Sequence, residues 1–313
     1  MPSAAQVLPV SSAERVFGEL GQPIERVPVQ VTVRLRGRGV RRPAFSRAVI
    51  YGAVLAGSVV MLFPFLWMLG TSLKVDRELF VTPPQLLPSP FAPENYRIVL
   101  DTFPIGRFLL NSVVVAVAST ALQLTTSAMA AYAFARLRFR GRDALFIVYL
   151  ATLMIPFQVT IVPLFVEMRV LGLVNTYPGL ILPTVASAFG TFLLRQAFLS
   201  LPHELEEAAF IDGANHWTVF RRIVIPLSKP ALATFGIFAF MASWNSFLWS
   251  LVVVSSQDLM TLPVGLANLH GRYTTAWNLV MAGATISVIP ILAVYIAAQK
   301  QVIRSVALSG IKG

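Results

Sequence analysis

A chain of 313 residues that is 56% hydrophobic and only 12% charged is too apolar for a soluble domain, which carries about a quarter charged residues. A net charge of +11 would point to nucleic acid in a soluble protein, but here the basic residues border apolar stretches, which marks membrane orientation and argues against a nucleic-acid partner. The absence of cysteine excludes disulfide and thiol chemistry, and three histidines are a poor basis for a metal site.

Residues 1–46 form an arginine-rich leader with Pro, Gly and Ser. Val27, Val29, Val31, Val33 and Leu35 alternate as in a strand, but a strand without a partner is not stable in water. The leader is expected to be a disordered, basic, cytoplasmic segment whose arginines brush anionic membrane lipid. It is not a secretory signal, because the first apolar run begins near Ala48 and is far longer than a signal-peptide core.

Beyond the leader, stretches without Asp, Glu, Lys, Arg or His occupy 48–73, 108–135, 144–166, 170–194, 230–257 and 273–299. Each is long enough for one helical crossing. The composition therefore predicts an all-α membrane protein with six transmembrane helices, at about 48–72, 108–135, 144–166, 174–194, 230–254 and 275–298. With the N-terminus inside, 19 of the 25 Lys and Arg residues fall in inside segments and six outside, so both termini are expected in the cytoplasm. The outside loop 74–107 contains Pro83, Pro84, Pro88, Pro90 and Pro93, cannot be helical throughout, and is expected to cap the outer face. Pro64, Pro156, Pro163, Pro183 and Pro290 lie within spans and should bend them.

The most polar part of the second half is 202–230, PHELEEAAFIDGANHWTVFRRIVIPLSKP. Pro202 suits a first helical turn, and Glu204, Glu206 and Glu207 suit the positive end of a helix. Gly213 breaks the run and Asn215 can cap a second helix, in which Trp217, Phe220, Ile223 and Val224 form one apolar face. Two short helices hinged at Gly213 would offer a docking surface for a soluble partner, and charge counting places them in the cytoplasm.

No GxxxxGK[ST] occurs, so this chain does not cradle nucleotide phosphates in a P-loop. No ionisable residue lies inside a span, as a proton-driven transporter would require. No set of histidine, acid and nucleophile suggests an enzyme. If the chain transports, its energy should come from a partner.

Glu207-Ala208-Ala209, Gly213 and Ile223-Val224-Ile225-Pro226, at their spacing here, resemble the EAA signature of ABC importer membrane subunits, with Ile225 where that signature usually has leucine. NTYPGLILP (175–183), FLLRQAFLSLP (192–202), SWNSFLWSLVV (243–253), TLPVGLA (261–267) and ALSGIKG (307–313) are similar to the carbohydrate branch, in particular to the second membrane subunit of maltose-type importers. The resemblance covers about 48–313 and implies a type I ABC importer transmembrane-domain fold over 47–313, with 202–230 as its cytoplasmic coupling-helix hairpin.

The resemblance implies a non-hydrolytic permease subunit in a bacterial or archaeal cytoplasmic membrane. It would work with two ATPase subunits, a second and different permease subunit, and an extracytoplasmic sugar-binding protein. ATP and Mg would be bound by the ATPase, and this chain would hold no cofactor and no metal. Glu207, Ala208, Ala209, Asp212, Gly213, Ala214, Arg221, Ile223 and Pro226 would form the coupling surface, with Glu207 pairing either with the ATPase or with Arg221. Asn111, Gln123, Thr126, Trp244, Asn245, Trp249 and Asn278 are candidates for the solute path, since sugars are held by hydrogen-bonding side chains beside aromatic faces. The other readings are a permease of the same superfamily for a non-sugar solute and a transporter that works without ATP.

Overall fold

The computed structural model describes residues 44–272 and 276–309. The leader lies almost wholly outside the described residues. Two compact units, Met1–Ala56 and Gly57–Gly313, divide the chain. The described part of the first is the beginning of helix Ala44–Ser72, and every contact given below lies in the second. Every regular element among the described residues is helical.

The first helix, α1, runs Ala44–Ser72. Its stretch Val49–Ser72 has mean hydropathy 2.2, and Val59, Val60 and Met61 are exposed, the surface that lipid or another chain covers. The proline-rich segment after it folds back on the end of α1. Ala92 donates to the Leu73 carbonyl at 2.8 Å, and the Lys74 ammonium bonds the Gln85 carbonyl while lying 5.0 Å from the Trp67 ring centre. A nine-residue helix, α2 (Glu94–Thr102), follows, so the loop is partly helical.

The central element is α3 (Ile105–Arg136), 32 residues and about 48 Å long at 1.5 Å per residue. Small residues line its buried face (Ser112, Ala116, Ser119, Ala128, Ala131 and Ala135), and this lets neighbouring helices approach closely. α4 (Arg142–Ala151) and α5 (Phe157–Val170) meet at 99° across Pro156. α6 (Tyr177–Ile181) and α7 (Ala188–Leu199) meet at 47° past Pro183, where the Ser187 hydroxyl caps α7 by accepting from Gly190 N–H at 3.1 Å.

The helices α8 (Glu204–Ile211), α9 (His216–Val219) and α10 (Ile225–Leu227) form the hairpin, with a wider π turn at Phe220–Val224 between the last two. α11 (Lys229–Trp244) leaves at 80°. α12 (Leu248–Val253), α13 (Leu262–Arg272) and α14 (Trp277–Ser309) complete the chain.

Among the described residues three helices are long and apolar enough to cross a membrane alone, or up to six segments if each bent pair is one span. The expected span 230–254 is not one helix. It stops at Trp244, and α12 begins only at Leu248. At the break the Asn245 N–H and its side-chain amide both donate to the Met241 carbonyl, at 3.1 and 2.9 Å, so Asn245 closes the end of α11.

One short stretch ties the break to the bundle. Asn175 Oδ1 accepts from Ser255 N–H at 3.1 Å and from Ser256 N–H and Oγ at 3.0 Å each. Thr176 caps α6, the Tyr177 hydroxyl donates to Asn111 Oδ1 at 2.6 Å, and the Gly179 carbonyl accepts from Trp249 Nε1 at 3.0 Å. The NTYPG segment is thus a structural keystone.

Candidate functional site

The turn between the two hairpin helices is closed by backbone hydrogen bonds. Gly213 has φ of +83°, its N–H bonds the Phe210 carbonyl at 3.0 Å, and Ala214 N–H bonds the Ala209 carbonyl at 2.9 Å. That paired arrangement is a Schellman helix ending, which requires a residue in the left-handed region at the Gly213 position. Asn215 caps the next helix, its Oδ1 accepting from Thr218 N–H at 2.9 Å, as its position in the sequence implied.

Ala209, Ala214, Val219, Phe220, Val224 and Ile225 then sink into one apolar cluster with Tyr132 of α3, Phe198 of α7 and Phe235 of α11. The apolar face differs from expectation at one position. Val219 is fully buried, whereas Trp217 is 57% exposed and only flanks Phe220, at 5.5 Å between ring centres. The wider turn at 220–224 resets the helical phase, so a 3.6-residue count from Trp217 selects the wrong side chain.

The opposite side of the hairpin is open. Leu205, Phe210 and Ile211 are exposed, Ile211 at 86%, together with Glu207, Ala208 and Asp212. Arg221 is exposed and Ile223 half-buried. Pro226 begins α10 beside them, exposed. No ion pair joins Glu207 to Arg221 among the described residues. Glu207 is thus left facing outward beside an apolar crest, which suits a surface meant for another protein.

A side chain built at Gly213 would meet no atom within 4 Å, so Gly213→Asp acts through backbone strain of about 1–2 kcal/mol and an added charge, not a clash. Uptake by this variant at matched expression should fall about tenfold. Normal uptake would show that the turn is dispensable.

The seven candidate path residues do not converge. Asn111 is fully buried, donating to the Asp258 and Met260 carbonyls at 2.8 and 2.9 Å. With Tyr177 on its oxygen, its hydrogen-bonding capacity goes into holding α3 to the 257–260 turn. Trp249 is buried on Gly179, and Trp244 is buried against Phe240, with 5.7 Å between ring centres. Asn278 bonds the Lys74 carbonyl at 3.2 Å and Asn95 Oδ1 at 3.3 Å. Thr126 donates to the Val185 carbonyl at 2.6 Å, and Gln123 is buried in the α3 face. Of the seven, only Asn245 is exposed.

A side chain that the sequence reading passed over is central to the hairpin. Arg136, the last residue of α3, has its Nε 2.6 Å from Glu206 Oε1, both buried. The only sequence signal was an arginine at a helix end, indistinguishable from its neighbours Arg138, Arg140 and Arg142.

Comparison with known proteins places this geometry. Residues 123–308 match the family model of the binding-protein-dependent transport system inner membrane component. The diacetylchitobiose uptake system permease protein NgcG of Streptomyces coelicolor is 37% identical over 263 residues, 83% of this chain and 87% of that protein. The arabinooligosaccharides transport system permease protein AraQ of Halalkalibacterium halodurans is 36% identical over 81% of this chain and 92% of its own length. Among solved structures, a bacterial ABC transporter involved in import of the acidic polysaccharide alginate contains a chain that superposes with a TM-score of 0.72 at 26% identity, covering 83% of this chain and 98% of that one.

Proposed function

The chain belongs to the family of binding-protein-dependent transport system inner membrane components, and we infer that it is the permease subunit through which an ABC importer moves a carbohydrate. The relatives named for a chitin disaccharide and for arabinooligosaccharides, together with the alginate importer, support a saccharide cargo. The observation that carries the coupling role is the hairpin, whose inner side is fixed in the bundle and whose outer side presents exposed Ile211 and Trp217 beside unpaired Glu207.

In this reading 47–313 is one permease domain of six spans, the fifth beginning at α11 so that 216–227 stays outside the membrane with the rest of the hairpin, preceded by the 1–46 leader. The excess of Lys and Arg in the inside segments puts both termini and the 202–230 hairpin in the cytoplasm. Two ATPase subunits hold ATP and Mg, and one of them presses on the exposed Glu207, Ala208, Asp212, Gly213, Arg221 and Pro226, with half-buried Ala209, Ala214 and Ile223 backing that surface. A second permease chain completes the path, and an extracytoplasmic binding protein delivers the sugar; dependence on a binding protein is what the family description names.

Asn245 is retained as a solute contact because it is exposed at a helix break. Asn111, Trp244, Trp249 and Asn278 instead shape the path by packing. Asn245→Ala should raise the KM for uptake about five- to tenfold, the worth of one hydrogen bond, with the maximal rate little changed. Unchanged kinetics would remove Asn245 from the path. The direct test of the whole reading is sugar uptake into vesicles that contain the reconstituted complex. Uptake should require ATP on the hairpin side and the binding protein on the other.

A further inference from the structure

Arg136 lies outside the signature motif, yet it is where three elements meet. The helix α8 rests on the bundle through a single fully buried side chain, Glu206. Otherwise the first half of the hairpin touches the apolar cluster only through half-buried Ala209 and Ala214. Glu206 Oε1 faces Arg136 Nε at 2.6 Å, with the two side chains 6% and 2% exposed. The Nε–H is not aimed at that oxygen, so the contact is electrostatic.

The directed bonds of the guanidinium go elsewhere. Nη2 donates to the Phe198 and Leu201 carbonyls at 2.8 and 2.9 Å, at the C-terminal end of α7, where the helix dipole favours a cation. Nη1 meets His203 Nε2, at the start of α8, at 2.8 Å. A planar fork with five donors reaches these four partners from one rigid plane, whereas a lysine ammonium has three donors on a single nitrogen.

Buried ion pairs contribute little net stability, because desolvation offsets their attraction, and their best-attested use is to fix register. The apolar contacts under the hairpin allow sliding, whereas a carboxylate and two carbonyls on one guanidinium do not. We propose that Arg136 is a positioning residue that locks α8, the end of α7 and α3 into one moving body. Displacement of the hairpin by the ATPase then reaches the helix around which the bundle packs. The proposal rests on the permease reading above.

The test compares wild type, Arg136→Lys and Glu206→Gln in the full transporter, with partner permease, ATPase and binding protein, reconstituted in vesicles. Uptake and ATP hydrolysis are measured in the same preparation. Both variants should assemble, with uptake reduced about tenfold or more and hydrolysis within about twofold of wild type, so that solute moved per ATP collapses. Uptake and hydrolysis falling in proportion would overturn the proposal, as would no change in either. Failure of both variants to assemble would also overturn it, by making the pair a folding requirement. Absence of ATP-driven uptake in the wild type itself would remove the permease reading and the proposal with it.

Discussion

Ile211→Asp should strip the ATPase from the complex while leaving the chain folded and inserted. Ile211 is 86% exposed on the last turn of α8, so the substitution disturbs no internal packing. At an interface the same side chain would be buried, an effect of about 1.5–3 kcal/mol, and burying an unpaired carboxylate in its place adds a further penalty. Together these predict affinity weaker by about a hundredfold or more. Trp217→Asp should act in the same direction, since that ring is also exposed beside the Gly213 turn. Ile211→Leu, which keeps the apolar contact, should retain binding. The measurement is the amount of ATPase recovered with the tagged chain at matched membrane abundance. Full recovery with Ile211→Asp would mean that the open face of the hairpin is not the docking surface.

Gly190→Ala should fail at an earlier stage, in assembly of the bundle. Gly190 lies in the first turn of α7, and a β-carbon there would fall within the ring of Phe235 on α11. Phe235 is 1% exposed and sits in the cluster beneath the hairpin, so the ring has no free space to enter. Overpacking of this kind costs about 3 kcal/mol or more, a large share of the stability of a folded domain. The expected result is loss of most of the protein from the membrane, measured by abundance and by the thermal midpoint in detergent. Gly190→Ala combined with Phe235→Leu should recover part of it. Gly106→Ala, where a β-carbon meets nothing within 4 Å, should be close to neutral. A Gly190→Ala variant as stable as wild type would mean that α7 and α11 do not approach as closely as described. Gly265, whose β-carbon would meet the Phe108 ring, is a second position of the same kind.

The sequence was most informative where a strong local signal had no competitor. Charge-free runs anticipated long apolar helices, and Gly213 with Asn215 anticipated the turn and the cap, because left-handed backbone and helix capping are local demands. It was least informative where tertiary contacts set a side chain's role. Asn111 and Trp249 read as sugar ligands by residue type. In the structure they close hydrogen bonds to carbonyls at Asp258 and Gly179, groups 147 and 70 positions away, which no local pattern announces. Pro156 announced a bend, but nothing local fixed its angle at 99°. The helix break at Asn245 was not legible because the composition stays apolar across it. Arg136 escaped notice because counting basic residues treats every arginine at a helix end as an orientation signal. Its carboxylate partner, Glu206, belongs to a different segment of the chain.

The central claim is that an ATPase acts on this chain through the 202–230 hairpin. It is tested most directly by mild-detergent purification of the tagged chain, wild type and Ile211→Asp, followed by reconstitution of each preparation and measurement of sugar uptake with and without ATP. The wild type should bring with it a P-loop ATPase and a second multi-span permease and take up sugar only with ATP, whereas Ile211→Asp should retain the permease but lose both ATPase and uptake. A wild-type chain that purifies alone and moves solute without ATP would contradict the claim.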